Sequence, residues 1–113
     1  MSNYRSGAEF ERKVIHYLTD NGYWCIRAAQ SKGIADIVAI KTGQVLLINC
    51  KTKSIPPPRE RHALASLALR TGCTPIVAQR GARGTGGPLL RRLRGDGTDP
   101  KALELFVVDE VAA

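Results

Sequence analysis

The chain has no apolar run approaching the ~20 residues that a membrane span requires, and its opening Met1-Ser2-Asn3-Tyr4-Arg5 lacks the apolar stretch of a secretory signal. A membrane partner is therefore not expected, and the composition reads as that of a soluble, cytoplasmic protein. Cysteine is scarce too: Cys25, Cys50 and Cys73 are odd in number and widely separated, with only His16 and His62 beside them. Neither a disulfide framework nor a zinc site has that spacing, so the thiols read as small buried side chains. No internal repeat is found. Acidic residues are few, and they gather at the end of the chain.

What is present fits a single compact domain over residues 1–113. Of these, 43% are hydrophobic and 24% charged, enough for a core and unlike a disordered or collagen-like chain. Residues 1–95 carry sixteen basic and five acidic groups, a net +11, whereas residues 96–113 carry a net −4. The body of the protein holds the positive field, and a polyanion is its natural partner. Charge alone leaves a basic surface kept for solubility equally open.

The spacing predicts a first helix over Gly7–Asn21, with Ser6 as N-cap, Glu9 as its capping-box partner and Asn21-Gly22 as the stop. Phe10, Val14, Tyr17 and Leu18 share an apolar sector with Glu11 at its edge. Glu9 lies opposite, with Arg12, Lys13 and His16. Strand-like runs follow at Tyr23–Ala28, Ile34–Ile40 and Gln44–Lys51, the last two linked tightly through Lys41-Thr42-Gly43. After a proline-rich break at Ile55–Pro58, Arg59–Thr71 reads as a second helix stopped by Gly72, with an apolar stripe of Ala63, Leu64, Leu67 and Ala68, and Thr74–Gln79 as a further strand. Residues 80–100 read as a mobile, basic, glycine-rich loop, with a last strand within Leu103–Val108. The order α-β-β-β-α-β with a final β implies an α/β fold, a mixed sheet flanked by helices.

Alternation places Asp36, Val38 and Ile40 on one face of their strand, and Val45, Leu47, Asn49 and Lys51 together on the next. Antiparallel pairing through the Lys41–Gly43 link brings Asp36 level with Asn49 and Lys51. Glu11 joins them if the first helix crosses that sheet face. Such a cluster suits a hard divalent cation bound through oxygen, with the lysine ammonium beside a phosphate. The plainer alternative is an Asp–Lys ion pair at a sheet end.

These residues resemble the archaeal-type Holliday junction resolvases, within the PD-(D/E)xK nuclease fold. Tyr4-Arg5-Ser6-Gly7-Ala8-Glu9-Phe10-Glu11-Arg12 is similar to that family's opening string. Arg27 followed by Ser31 and Lys32, the Asp36-Ile37-Val38 strand, and Asn49-Cys50-Lys51 in the place of ExK continue the likeness over about the first eighty residues. The resemblance implies a restriction-endonuclease-like fold and a structure-selective endonuclease that resolves four-way or branched DNA by hydrolysis. It implies Glu11 and Asp36 as acidic metal ligands and Lys51 as the catalytic lysine. Asn49 and the Cys50 carbonyl complete the ligand set, and Ser31 contacts the site or the scissile phosphate. Mg²⁺ is the implied cofactor, with Mn²⁺ substituting and no small-molecule cofactor. The implied assembly is a homodimer with two sites. Arg5, Arg12 and Arg27 stand where the family grips the DNA backbone. Lys32, Lys53, Arg59, Arg61, Arg80 and Arg83 are further candidates for that basic surface.

Asn49 departs from the family's glutamate. An amide oxygen can coordinate but brings no charge, leaving two carboxylates instead of three. Glu9 is a poor substitute because of its helix face and Glu60 lies beyond the proline break, but both stay open as sources of the missing carboxylate. Two classes of function therefore stay open: an active nuclease using Asn49 as a neutral ligand, or a non-catalytic protein that binds branched DNA.

Overall fold

A computed structural model describes residues 3–28, 33–82 and 86–108, with the side chains of residues 3–6 excepted. Six strands form one sheet in sequential order, β1 (Trp24–Arg27), β2 (Ile37–Lys41), β3 (Gln44–Cys50), β4 (Thr74–Gln79), β5 (Leu89–Arg92) and β6 (Glu104–Leu105). Helix α1 (Asn3–Asp20) precedes them and α2 (Pro58–Thr71) joins β3 to β4. The β3–β4 pair is parallel and the other pairs are antiparallel. A parallel neighbour cannot be reached by a tight turn, so α2 is the crossover that this pairing needs.

The two helices cover opposite faces. Phe10, Val14 and Leu18 of α1 pack on Ile37, Ala39, Leu46, Ile48, Ile76 and Ala78. Leu64, Ala65 and Ala68 of α2 pack on Leu47, Val77 and Leu93. Each fully buried Leu or Ile contributes roughly 1.5–3 kcal/mol relative to exposure, so this three-layer stacking carries most of the stability. The alternation read along β2 and β3 holds: Leu46, Ile48 and Cys50 face α1, whereas Leu47 and Val38 face the α2 side. The β2–β3 turn is made at Thr42-Gly43, where Gly43 takes φ +76°, a conformation most side chains resist.

Three expectations are corrected. Ser6 is not a cap, because the helix already runs through it from Asn3 and an N-cap must lie outside the helical ladder. Part of the expected mobile loop is β5, which pairs with β4 through Val77–Arg91 and Ala78–Leu90 and buries Leu90, while Leu93 is buried just beyond it. The final strand is shorter than Leu103–Val108: only Glu104–Leu105 pairs, although Phe106 N–H still donates to Leu90 O and Val108 is buried against the α1-side core.

Candidate active site at the sheet end

Ile37 pairs with Ile48, so Asp36 stands level with Asn49, as the hairpin spacing predicts. Its backbone N–H donates to Ile48 O and its Oδ2 accepts the Cys50 N–H, both at 2.7 Å. The Asp36 carboxyl is nonetheless raised above its ordinary range. Burial is the main cause, opposed by the Cys50 hydrogen bond, with Glu11 and Glu60 adding repulsion and Lys51 attraction. Four charged groups from separate segments thus act on one another here.

Glu11 reaches the sheet end from α1. Its Oε1 accepts the Arg27 Nε–H at 2.7 Å, the two side chains being 19% and 26% exposed. Arg27 is therefore committed to Glu11 rather than standing free at the surface. The Cys50 thiol is pushed far above its ordinary pKa by burial, then by the charges of Asp36 and Glu11, which makes it an inert neighbour rather than a nucleophile.

Asn49 and Lys51 project on the α2 side. Asn49 is 8% exposed; its Nδ2 donates to Ile34 O at 3.3 Å, and its buried Oδ1 has no hydrogen-bond partner among the described residues. An unsatisfied buried amide oxygen costs about 1–3 kcal/mol. Lys51 extends the parallel ladder through its N–H to Ala78 O, and its Nζ lies 3.3 Å from Glu60 Oε1. Glu60, which the sequence sets apart only by the proline break, is thereby brought to Lys51. Its signal was local: Pro58 opens α2, which puts Glu60 in the first turn directly after the short β3–α2 connection.

Among the described residues, no three His, Cys, Asp or Glu side chains stand close enough to enclose a metal ion by themselves. The oxygen donors at this end of the sheet are the Asp36 carboxylate, which stands level with Asn49 and is bonded to the Cys50 main chain, and the Glu11 carboxylate, whose charge acts on Asp36. This all-oxygen set fits a hard divalent cation in type, and the unpartnered Asn49 Oδ1 is the atom that such an ion would satisfy.

The basic candidates divide. Arg12, Lys53, Arg59 and Arg80 are exposed. Arg12 and Arg80 border a groove of about 750 Å³ between α1 and the β4–β5 connection, with Lys13, His16 and Tyr17, and none of Glu11, Asp36, Asn49 or Lys51 lines it. Arg61 is a correction: it is 3% exposed and gives its guanidinium hydrogens to Gly97 O, Pro56 O and Thr98 O at 2.6–2.8 Å, so it pins the 95–98 turn to α2 and offers nothing to DNA. Ser31, Lys32 and Arg83 lie outside the described residues, as does the side chain of Arg5. No helix among the described residues is long and apolar enough to cross a membrane.

Comparison with known proteins agrees with this geometry. The crossover junction endodeoxyribonuclease Hjc of Methanocaldococcus jannaschii is 45% identical over 51 residues, a stretch covering 45% of this chain and 38% of that protein. The matched stretch thus spans well under half the length of that relative. The structure of Archaeoglobus fulgidus Hjc, a Holliday junction resolvase from an archaeal hyperthermophile, superposes with a TM-score of 0.64 at 25% identity, covering 77% of this chain and 75% of that one. Residues 2–84 match the family described as archaeal Holliday junction resolvase (Hjc), which takes in α1, the first four strands, α2 and every residue of the sheet-end cluster, and the chain belongs to that family.

Proposed function

We propose that the chain is a structure-selective DNA endonuclease that resolves four-way junctions by metal-dependent hydrolysis of phosphodiesters. The observation that carries this reading is the meeting of Asp36, Asn49 and Lys51 at one strand end, with Glu11 approaching from α1, inside a strongly basic body. Asp36, Glu11, the Asn49 amide oxygen and the Cys50 carbonyl would hold Mg²⁺, for which Mn²⁺ substitutes. When bound, the ion supplies Lewis-acid activation of water and neutralises charge on the attacked phosphate.

The chain's own groups do the rest. Lys51 places an ammonium where negative charge develops on the phosphate oxygens. The hydrogen bond from Cys50 N–H fixes the Asp36 carboxylate so that it needs no reorganisation. Exposed Arg12, Lys53, Arg59 and Arg80 hold the backbones of the DNA arms and select shape rather than sequence. By its resemblance to the family, Ser31 would contact the site or the scissile phosphate. A homodimer gives two sites and paired nicks, and exposed apolar side chains such as Trp24, Ile40 and Leu69 support association of copies. Asp36→Asn is expected to abolish cutting of a four-way junction while leaving junction affinity within a few-fold. A mutant that still cuts means the site is misassigned.

One observation favours a second reading, a branched-DNA-binding protein without cleavage: the uncharged Asn49. Asn49→Glu separates the two. For an active nuclease it lowers the Mg²⁺ concentration needed for cutting, whereas for a binding protein it creates cleavage where there was none.

A further inference from the structure

The strand end lacks a carboxylate at position 49, yet a carboxylate arrives there from another element. Glu60 Oε1 lies 3.3 Å from the Lys51 ammonium, and its charge is felt by the Asp36 carboxyl. It stands on the face where Asn49 projects, because α2 covers the side of the sheet to which Leu47, Asn49 and Lys51 point. Its placement is rigid at the backbone. Pro58 opens the helix, Arg61 N–H bonds Pro57 O, and the buried Arg61 guanidinium bonds Pro56 O at 2.6 Å. The Glu60 side chain itself is 47% exposed and has room to turn.

Two independent features lie on this side of the sheet. One is an acidic group whose charge serves the fold only through an exposed ion pair and its place in the first turn of α2, each of which contributes at most ~1 kcal/mol. The other is the Asn49 Oδ1, buried and without a partner among the described residues on the same side of the sheet. A cation site built from Asp36, Glu11 and neutral oxygens is one carboxylate short, and affinity for hard divalent ions is tuned by the number of charged ligands.

We propose that Glu60 supplies the negative charge that position 49 does not carry, so that the divalent cation is held jointly by Asp36, Glu60 and the neutral amide oxygen of Asn49. This rests on the nuclease reading above and deepens it, by moving the third acidic ligand from the strand to the helix that follows. The arrangement gives the Asn49 oxygen a partner and keeps three carboxylates about the site, with Glu11 bonded to Arg27.

The test is the binding of Mn²⁺ by the full chain without DNA, followed by electron paramagnetic resonance or calorimetry. Glu60→Gln keeps the shape of an exposed side chain, and its thermal unfolding is expected to match the parent. Its Mn²⁺ affinity is expected to fall at least tenfold, and Asn49→Glu added to Glu60→Gln is expected to restore it. Lys51→Met, which removes only the ion-pair partner, should leave the affinity equal or tighter. Were Glu60 merely a partner for Lys51, Glu60→Gln would leave Mn²⁺ affinity within twofold while Asp36→Asn abolished it, and the proposal would fail with the cation site intact. Should Asp36→Asn also leave the affinity unchanged, there is no cation site at this sheet end, and the nuclease reading falls with the proposal.

Discussion

Asp36 and Cys50 are joined across the β2–β3 pair by a hydrogen bond of 2.7 Å from the Cys50 N–H to the Asp36 carboxylate. The bond holds a partly buried negative charge at the seam where Asn49 and Lys51 emerge. It only partly offsets the burial that disfavours the charge, so the ionised Asp36 carboxylate is held at some cost in stability.

That cost has a pH signature. A carboxyl raised above its unfolded value of about 3.9 contributes stability that is fully present below that value and is lost as pH rises through the folded pKa. Asp36→Asn, whose amide oxygen can still accept the Cys50 N–H, is expected to unfold at higher urea concentration than the parent at pH 7. The gain should shrink towards pH 3.5. A mutant less stable than the parent at pH 7 would contradict the cause given for the shift.

Arg61 is the second test of placement. Removing its guanidinium leaves the carbonyls of Pro56, Gly97 and Thr98 without their donor, and Arg61→Ala is expected to cost at least ~3 kcal/mol in urea unfolding. Arg59→Ala, two residues away and exposed, should change stability by no more than ~0.5 kcal/mol.

Gly97 packs against the same turn of helix. At φ +83° a Cβ would sit 2.5 Å from the Arg61 carbonyl oxygen, so Gly97→Ala is expected to destabilise by ~2 kcal/mol or more. Thermal unfolding measures it. A neutral substitution would mean that the 95–98 turn is not held against α2.

The exposed cations predict salt dependence. A protein that neutralises one phosphate fewer releases fewer counterions on binding, so Arg12→Ala, Lys53→Ala and Arg59→Ala should each reduce the slope of log K against log salt for junction binding by ~1. An unchanged slope removes that residue from the interface.

Which parts of this were legible in the sequence follows from the range of the interactions. Asp36 meets Asn49 because both are counted from one tight turn, and strand alternation alone assigns Leu46, Ile48 and Leu47 to their faces. β5 was hidden because its glycine- and arginine-rich surroundings look like a loop until β4 supplies a pairing edge for Leu90. Arg61 reads as a surface cation because its burial depends on carbonyls some 36 residues further along. Glu60 reads as remote from the strand end for the same reason: only the return of α2 over the sheet carries it across the proline break to Lys51.

The most direct measurement is incubation of the pure protein with a labelled mobile four-way junction and a linear duplex, in Mg²⁺, in Mn²⁺ and in chelator. Metal-dependent, paired, symmetric nicks in the junction alone are the predicted result. Tight, salt-sensitive junction binding with no cleavage in either metal would contradict the account and leave a binding protein built on a nuclease fold.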